Sequence, residues 1–188
     1  MSFATSTCRR LFLLLLAVGT LAGLGQVSSG QTPFRPTTVF LVRHAEKQAT
    51  PAADPSLTSD GELRAKNLAR ALSKAGVKAI FTSQFLRTKE TARPLAEAAS
   101  VAPVVISIQP DPSDRRKISE QSIRNLVDGI YLNAGGAVLV VGHSNTVPLV
   151  IAALGGGQVS EIPETEFDNL YVVTIYEKGK AKVAQLKY

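Results

Sequence analysis

In the stretch VFLVRHAEK, residues 39–47, an apolar run is followed by Arg43 and then by His44. An apolar run of this length, with charged residues at its end, is typical of a buried β-strand. A second stretch, VLVVGHSNT at residues 138–146, repeats the arrangement with His143, and the chain contains no other histidine. Chemistry in open α/β sheets gathers where strands end, so the two stretches predict one pocket that holds both imidazoles.

The first thirty residues differ in composition from the rest and predict a secretory signal peptide. Arg9 and Arg10 form a positive start, residues 11–24 are mostly apolar, and residues 26–30 suit cleavage. The arginine pair also fits the twin-arginine export route. The apolar stretch is shorter than the roughly 20 residues that a membrane-spanning helix needs. We therefore expect a signal peptide at 1–30 and an exported, periplasmic or secreted protein with no stable membrane association once the signal is removed.

We expect the mature domain at residues 31–188, and its size and charge limit the class of protein to which it can belong. A chain of 188 residues suits one domain with a full core. The single cysteine, Cys8, belongs to the predicted signal, so no disulfide is expected. Removing residues 1–30 takes away two arginines and no acidic residue, so the formal charge falls from +6 to +4. The scattered basic residues argue against nucleic-acid binding, and a mild positive field suits a small anionic substrate.

Apolar runs and helix signals predict strands that alternate with helices along the mature chain. This order is typical of an α/β three-layer sandwich, in which a mostly parallel central sheet carries helices on both faces. Lys178-Gly179 predicts the turn of a C-terminal antiparallel hairpin. A capping box from Ser59 to Glu62 is expected to open the first helix, and Pro94 to kink or interrupt the second. The expected strands are 38–42, 77–83, 104–108, 137–141, 170–176 and 181–186, and the expected helices are 59–75, 86–99, 119–132 and 147–154.

Two arginines are expected beside the histidines at this sheet edge. Arg43 directly precedes His44, and Arg87 lies in the first turn of the helix that follows the second predicted strand. A neighbouring guanidinium favours the neutral, nucleophilic form of an imidazole, and its paired N–H donors suit phosphate oxygens. Together with His143, these residues predict a cationic cup for a phosphoryl group. Two polar residues near the same strand ends could bind the phosphate or shape a turn: Ser83 and Asn145.

The residues around these side chains resemble the histidine phosphatase superfamily, also called the phosphoglycerate mutase-like fold. Three motifs carry the resemblance, in the order and on the elements expected of that family: LVRHAE at 41–46, TSQFLRT at 82–88 and VGHSNT at 141–146. The resemblance spans residues 37–176, and it implies that no metal or other cofactor is required. It also implies that water hydrolyses a phosphohistidine intermediate. The implied roles are a nucleophile, His44, and three phosphoryl-binding residues, Arg43, Arg87 and His143.

The resemblance leaves the proton donor to the leaving group without an obvious residue. Members that resemble phosphoglycerate mutase carry a glutamate after the third strand, whereas this chain has QPDPSD at 109–114. The smallest members of the superfamily manage without that glutamate. The large lid insertion of mutases is absent as well, so a mutase acting on phosphoglycerate is not expected. Asp111 is the candidate acid by position, and the alternatives are Asp114, Glu46, Glu164 and Glu166.

Three other functions fit part of the pattern. GHSNT at 142–146 nearly matches the nucleophile elbow of an α/β-hydrolase with Ser144 as nucleophile, but that fold needs a later histidine and there is none. The two histidines with Glu46 or Asp168 could hold zinc, although Arg43 would repel a dication. A non-catalytic phosphate-binding or interaction module on the same fold is the third. The sequence favours a metal-independent phosphohydrolase for a small phosphorylated substrate, a phosphomonoester or phosphoramidate, and leaves the oligomeric state open.

Overall fold

Strand β1, Thr37–Arg43, carries the first apolar run and lies inside a six-stranded sheet. The computed structural model describes residues 34–188, so the predicted signal peptide lies outside the described residues. Strand β1 pairs in parallel with β4, Ala137–Gly142, and antiparallel with β5, Asn169–Glu177. A central strand of a covered sheet is buried on both faces, which accounts for the near-continuous apolar sequence of β1 and β4.

The sheet has the strand order β3-β2-β4-β1-β5-β6. Strand β2 spans Val77–Thr82, β3 spans Val104–Val105 and β6 spans Lys180–Lys187. The first four strands run parallel, whereas β5 and β6 form an antiparallel hairpin. The hairpin turns at Gly179, whose φ of +76° favours glycine. The predicted, mostly parallel sheet with a C-terminal hairpin is confirmed.

Helices cover both faces of this sheet. Helices α1, Ser59–Leu72, and α2, Leu86–Ala99, lie on one face. Helices α3, Glu120–Leu132, and α4, Thr146–Ala153, lie on the other. Successive residues of each central strand point to opposite faces, so most of the core lies in two apolar clusters separated by the sheet. The predicted three-layer α/β sandwich is confirmed. No helix within residues 34–188 is long and apolar enough to cross a lipid bilayer.

The start of α1 differs from the prediction. Thr58 is the N-cap, and its Oγ1 accepts a hydrogen bond from the N–H of Gly61 at 3.1 Å, so the predicted capping box from Ser59 to Glu62 is wrong. The N–H of Thr58 donates to the carbonyl of Glu46 at 2.9 Å. This bond to the segment after β1 holds Thr58 in an extended conformation that places its hydroxyl over the first turn of the helix.

The buried face of α1 is also shifted from the one expected. The spacing of apolar residues in the sequence predicts one core-facing side made of Leu63, Leu68, Ala71 and Leu72, yet Leu63, at 59%, and Ala71 are exposed. The helix ends at Leu72 rather than near residue 75. The residues that it buries are Gly61, Ala65, Leu68 and Leu72.

Two further differences from the prediction, the end of β3 and the continuity of α2, have a physical reason. Strand β3 ends at Val105 instead of residue 108, because Val105 pairs with Thr82, the last residue of β2. Helix α2 runs through Pro94 without interruption. Three neighbours of that proline are buried against the sheet and compensate for its missing N–H: Ala92, Leu95 and Ala96. The remaining predicted elements agree with the observed bounds to within one residue at each end.

Candidate active site

The two histidines meet because β1 and β4 are neighbours in parallel register. Arg43 pairs with Gly142, so the next residue of each strand, His44 and His143, leaves the sheet at the same edge. The N–H of His44 donates to the carbonyl of Gly142 at 3.0 Å. The centroids of the two imidazole rings lie 5.4 Å apart. The structure thus brings together the two side chains that the strand ends predict.

His44 is buried and has a defined tautomer. The residue is 3% exposed, and its Nδ1 lies 2.8 Å from the carbonyl oxygen of Ala45. A carbonyl oxygen only accepts, so Nδ1 carries the proton and Nε2 keeps its lone pair. Burial lowers the pKa of His44 to about 4 against the opposing hydrogen bond to Ala45, and the charges of Arg87 and Arg43 lower it further. The ring is therefore neutral and nucleophilic near pH 7.

Arg43 is 2% exposed and held by the segment that precedes β5. Its Nη1 donates to the carbonyls of Pro163 at 2.7 Å and Glu166 at 3.3 Å, and its Nη2 forms an ion pair with Glu164. Its guanidinium carbon lies 4.3 Å from the centroid of the Phe167 ring. The Nε atom is buried without a hydrogen-bond partner in the described part of the chain. A buried donor without a partner costs free energy, so this arginine is held in place at a cost in stability.

Arg87 lies in the first turn of α2 and has a similar environment. Its guanidinium carbon is 4.3 Å from the centroid of the Phe85 ring, and its Nη1 is 3.8 Å from Oδ1 of Asp54. Burial lowers the pKa of Arg87, and the nearby Asp54 carboxylate opposes this shift. Within residues 34–188 its Nε is likewise buried without a partner. Both guanidinium groups therefore place positive charge near His44, and Arg87 also lines a cavity beside it.

His143 is oriented by a serine. Its Nε2 lies 3.0 Å from Oγ of Ser83, and the same oxygen lies 3.0 Å from Oγ1 of Thr88. Burial lowers the pKa of His143 to about 3, and the charge of His44 lowers it further. Ser83 therefore positions an imidazole in this structure. Asn145, the other predicted polar ligand, lines the cavity between these elements and makes no side-chain hydrogen bond to the first turn of α4.

That cavity has a volume of about 380 Å³. Part of its wall is polar and cationic, and part is apolar. The cationic or imidazole residues of the wall are His44, Lys47, Arg87 and His143, and the apolar residues are Phe85, Ile108, Pro110 and Ile118. A larger groove, of about 570 Å³, runs along α2 and is lined by neither histidine. The chemistry of the side chains therefore points to the smaller cavity.

Asp111, the predicted general acid, does not line this cavity. Its Oδ1 accepts hydrogen bonds from Oγ and the N–H of Ser113, at 2.5 and 2.8 Å. These bonds hold the pKa of the Asp111 carboxyl below its ordinary value. The carboxylate of Asp114 accepts from Nε of Arg116 at 2.9 Å. Both aspartate carboxylates accept hydrogen bonds from residues of their own loop, so the geometry disfavours Asp111 as a proton donor.

Of the five carboxylates that the sequence offers as candidate acids, Glu164 is the one that lines the cavity. Glu46 accepts from Nε of Arg64 with both oxygens at 2.9 Å. Glu166 accepts from Nδ2 of Asn169 at 2.8 Å. These partners lie outside the cavity, so Glu164 alone among the five is placed to meet a ligand.

The alternative chemistries find little support in the geometry. Oγ of Ser144 donates to Oε1 of Glu164 at 2.9 Å, and no histidine follows His143 to act as its base. Within residues 34–188, no group of three or more His, Cys, Asp or Glu side chains is arranged to hold a metal ion.

Comparison with known families gives independent support for a broad class. The model of the histidine phosphatase superfamily, branch 1, matches residues 39–111, which include His44 and both arginines of the site. This match supports membership of the histidine phosphatase superfamily. The chain is also 39% identical over 66 residues to a probable phosphoglycerate mutase from Serratia proteamaculans. That match covers 32% of this chain and only 31% of the relative.

Solved structures share the fold over most of the chain. The protein histidine phosphatase SixA, complexed with tungstate, superposes with a TM-score of 0.62 at 21% identity, covering 80% of this chain and 96% of its own. The alpha-ribazole phosphatase from Shigella flexneri superposes with a TM-score of 0.61 at 17% identity, with coverages of 80% and 96%. Identities this low establish a common fold and leave substrate and mechanism to be argued from the site.

Sequence reasoning missed the two phenylalanines that cover the arginines. Phe85 precedes Arg87 by two residues in the turn between β2 and α2, so an aromatic at that turn was an available signal. Phe167 reaches Arg43 from the segment before β5. No local pattern marks that contact, because it depends on how a long connection folds back over β1.

Proposed function

We propose that this protein is a phosphohydrolase that acts through a phosphohistidine at His44. The observation that carries the proposal is the 2.8 Å contact from Nδ1 of His44 to the carbonyl of Ala45, which leaves Nε2 unprotonated in a cationic cavity. The Nε2 lone pair attacks phosphorus, and the bond from phosphorus to the leaving oxygen breaks. Water then attacks the phosphohistidine and releases inorganic phosphate.

The two guanidinium groups support phosphoryl transfer in this proposal. Arg87 lines the cavity and can donate to a phosphoryl oxygen, and the buried Arg43 places a second positive charge beside His44. Negative charge in the transition state spreads over the three equatorial oxygens, so fixed cations at those oxygens lower the barrier. The proposal includes no metal ion. Arg43 and Arg87 supply the positive charge that a dication would otherwise bring to the phosphoryl oxygens.

The proposed substrate is a small phosphomonoester or phosphoramidate. A cavity of about 380 Å³ fits a small molecule rather than a folded partner. Its apolar wall, which includes Phe85 and Ile108, would contact the group beyond the leaving atom. On the composition of residues 1–30 we also propose export to the periplasm or medium. Amino-terminal sequencing of the exported protein should begin near Gln31, and an intact Met1 would contradict this proposal.

Phosphate release from p-nitrophenyl phosphate, with EDTA present, tests the activity. The wild-type chain from Gln31 onward should release phosphate. His44→Ala should lose roughly 1000-fold or more in kcat, since it lacks the nucleophile. Arg93→Ala is the control, because Arg93 is exposed on α2 and does not line the site cavity. Full activity of His44→Ala would refute the mechanism.

Trapping the phosphoenzyme identifies the nucleophile, because the chain contains only two histidines. Turnover quenched with alkali should leave phosphate on the peptide that carries His44. Phosphate on His143 would assign the nucleophile to the other strand. Turnover without any trapped phosphohistidine would favour direct attack by water.

A non-catalytic phosphate-binding module is the second candidate, and one observation favours it. Glu164 already occupies Nη2 of Arg43 with a carboxylate, which competes with a phosphoryl oxygen for that donor. Binding of inorganic phosphate without hydrolysis of any ester tested would support the module. Hydrolysis that depends on His44 would exclude it.

A further inference from the structure

Glu164 links a buried part of the site to solvent. Its Oε1 accepts from Oγ of Ser144 at 2.9 Å, and its Oε2 forms the ion pair with Nη2 of Arg43. The Glu164 side chain is nevertheless 75% exposed, whereas His44 is 3% exposed. Both residues line the same cavity. The candidate nucleophile therefore lies at the floor of the cavity, and the carboxylate lies at its mouth.

We propose that Glu164 donates a proton to the leaving-group oxygen and that the enzyme therefore hydrolyses alkyl phosphomonoesters. This inference rests on the proposed phosphoryl transfer to His44. In-line displacement places the leaving oxygen on the side of phosphorus opposite the nucleophile. With His44 at the floor, the leaving oxygen faces the mouth of the cavity, where Glu164 lies.

The charges around Glu164 explain how it acquires the proton. Arg43 at the end of β1 and His44 directly after it act on this carboxylate, as does Arg87 from α2. Glu161 shares its contact with Ser144. Without substrate, burial alone would raise the pKa of the Glu164 carboxyl, but the Ser144 hydrogen bond and the Arg43 charge together hold it below its ordinary value. A phosphoryl dianion changes this balance.

The dianion engages the guanidinium groups and adds negative charge beside the carboxylate. A like charge in the same cavity raises the pKa of a carboxyl group, so in this proposal Glu164 takes up a proton when the substrate binds. The proton then lies beside the oxygen that will leave. Substrate binding itself thus converts a hydrogen-bond acceptor into a general acid.

The proposed steps balance in atoms and charge. Nε2 of His44 forms a bond to phosphorus while the phosphorus–oxygen bond to the leaving group breaks, and the Glu164 proton moves to that oxygen to give a free alcohol. In the second step, water attacks phosphorus and gives its proton to the Glu164 carboxylate. The electron pair of the nitrogen–phosphorus bond returns to Nε2, and inorganic phosphate leaves.

The role of Glu164 determines which substrates can react. A p-nitrophenolate ion leaves without a proton, whereas a benzyl alkoxide does not. The two esters are otherwise similar in size, and both present an aromatic ring to the apolar wall formed by Phe85 and Ile108. A proton donor in the cavity therefore extends the substrate range from aryl phosphates to alkyl phosphates.

Comparison of benzyl phosphate with p-nitrophenyl phosphate tests this role. Glu164→Gln should lower kcat for benzyl phosphate by roughly 100-fold or more, the usual contribution of a general acid. The same variant should keep its kcat for p-nitrophenyl phosphate within about 10-fold of wild type, because that step needs no proton. Glu97→Gln is the control: it removes the same charge, is exposed on α2, does not line the cavity and should leave both rates unchanged.

Each other outcome overturns the assignment. Equal losses on both esters would make Glu164 a positioning residue for Arg43, and faster hydrolysis of both would mean that its carboxylate only obstructs the site. Unchanged rates would exclude any role. The proposed phosphohydrolase activity is tested independently by the wild type. It is refuted if the wild type neither hydrolyses p-nitrophenyl phosphate nor forms phosphohistidine.

Calorimetry of inorganic phosphate binding gives a second readout. In buffers of different ionisation enthalpy at a pH where phosphate is a dianion, wild type should take up close to one proton per phosphate bound. Glu164→Gln should bind phosphate with little proton uptake, and Glu97→Gln should behave as wild type. Equal proton uptake by wild type and Glu164→Gln would overturn the proposal.

Discussion

His44 and His143 are the side chains whose protonation states decide the chemistry of this site. Burial lowers the pKa of His44 to about 4 and that of His143 to about 3. We therefore expect both rings to remain neutral down to pH ~5, well below the ordinary histidine pKa of about 6.5. Nitrogen–proton correlation spectra recorded across this range measure both rings, since the chain has only two histidines. His44 should show a protonated Nδ1, and a midpoint near 6.5 for either ring would contradict the structure.

The sequence correctly predicts the site residues that lie at the ends of strands. It does not predict which loop residues reach the site. His44 and His143 follow apolar runs whose parallel pairing could be inferred, and parallel strands end at one edge of a sheet. The position of Asp111 after the third strand predicts a general acid, but Ser113 holds its carboxylate within the loop. The sequence does not single out Glu164 among the other carboxylates, because its approach to Arg43 depends on the folded path of residues 155–168.

At the scale of elements, helix α1 contacts the segment after His44 through a glycine. A Cβ atom on Gly61 would lie 2.2 Å from the carbonyl oxygen of Glu46, a backbone atom that also accepts from Thr58. Gly61→Ala must therefore displace either the helix or the segment that follows the candidate nucleophile. We expect its free energy of unfolding in urea to fall by about 1–3 kcal/mol. Hydrolysis of p-nitrophenyl phosphate should also slow, since Glu46 is two residues from His44.

Gly129→Ala is the control for this contact, because it makes the same change inside a helix on the other face of the sheet. Its Cβ would meet a ring carbon of Phe81 at 2.9 Å, which is a side-chain atom rather than backbone. Alanine also gains up to about 1 kcal/mol of helix propensity over glycine. We expect a smaller loss of stability than for Gly61→Ala and no change in hydrolysis. Equal effects of the two variants would show that backbone contact with Glu46 is not the cause.

Element ends are less predictable than element types, because partners set them. Periodicity located the helices and strands, but β3 stops where β2 stops, at the pair of Thr82 with Val105. Helix α1 begins after Thr58 because that residue is tied to Glu46 across the loop. Pro94 lies inside a helix that packing preserves. Each of these outcomes depends on a contact between residues far apart in sequence.

At the scale of the whole molecule, the same histidine shifts couple folding to pH. The folded pKa values of His44 and His143 lie below the unfolded value of about 6.5, so the unfolded chain binds more protons as the pH falls. This stability is fully present above the unfolded pKa and is lost as the pH falls towards the folded values. We expect the free energy of unfolding in urea to fall by about 1–2 kcal/mol per histidine between pH 7 and pH 5.

The double variant with His44→Asn and His143→Asn provides the control, because asparagine does not titrate. Its free energy of unfolding should vary much less between pH 7 and pH 5 than that of wild type, whatever its absolute stability. Carboxyl groups with lowered pKa values, such as those of Glu46 and Asp168, lose their contribution mainly below this window and so cannot mimic the effect. A pH dependence equal to that of wild type would mean that the histidines are as readily protonated in the folded protein as in the unfolded chain. The desolvated, cationic environment that keeps Nε2 of His44 nucleophilic thus makes the fold itself less stable in acid.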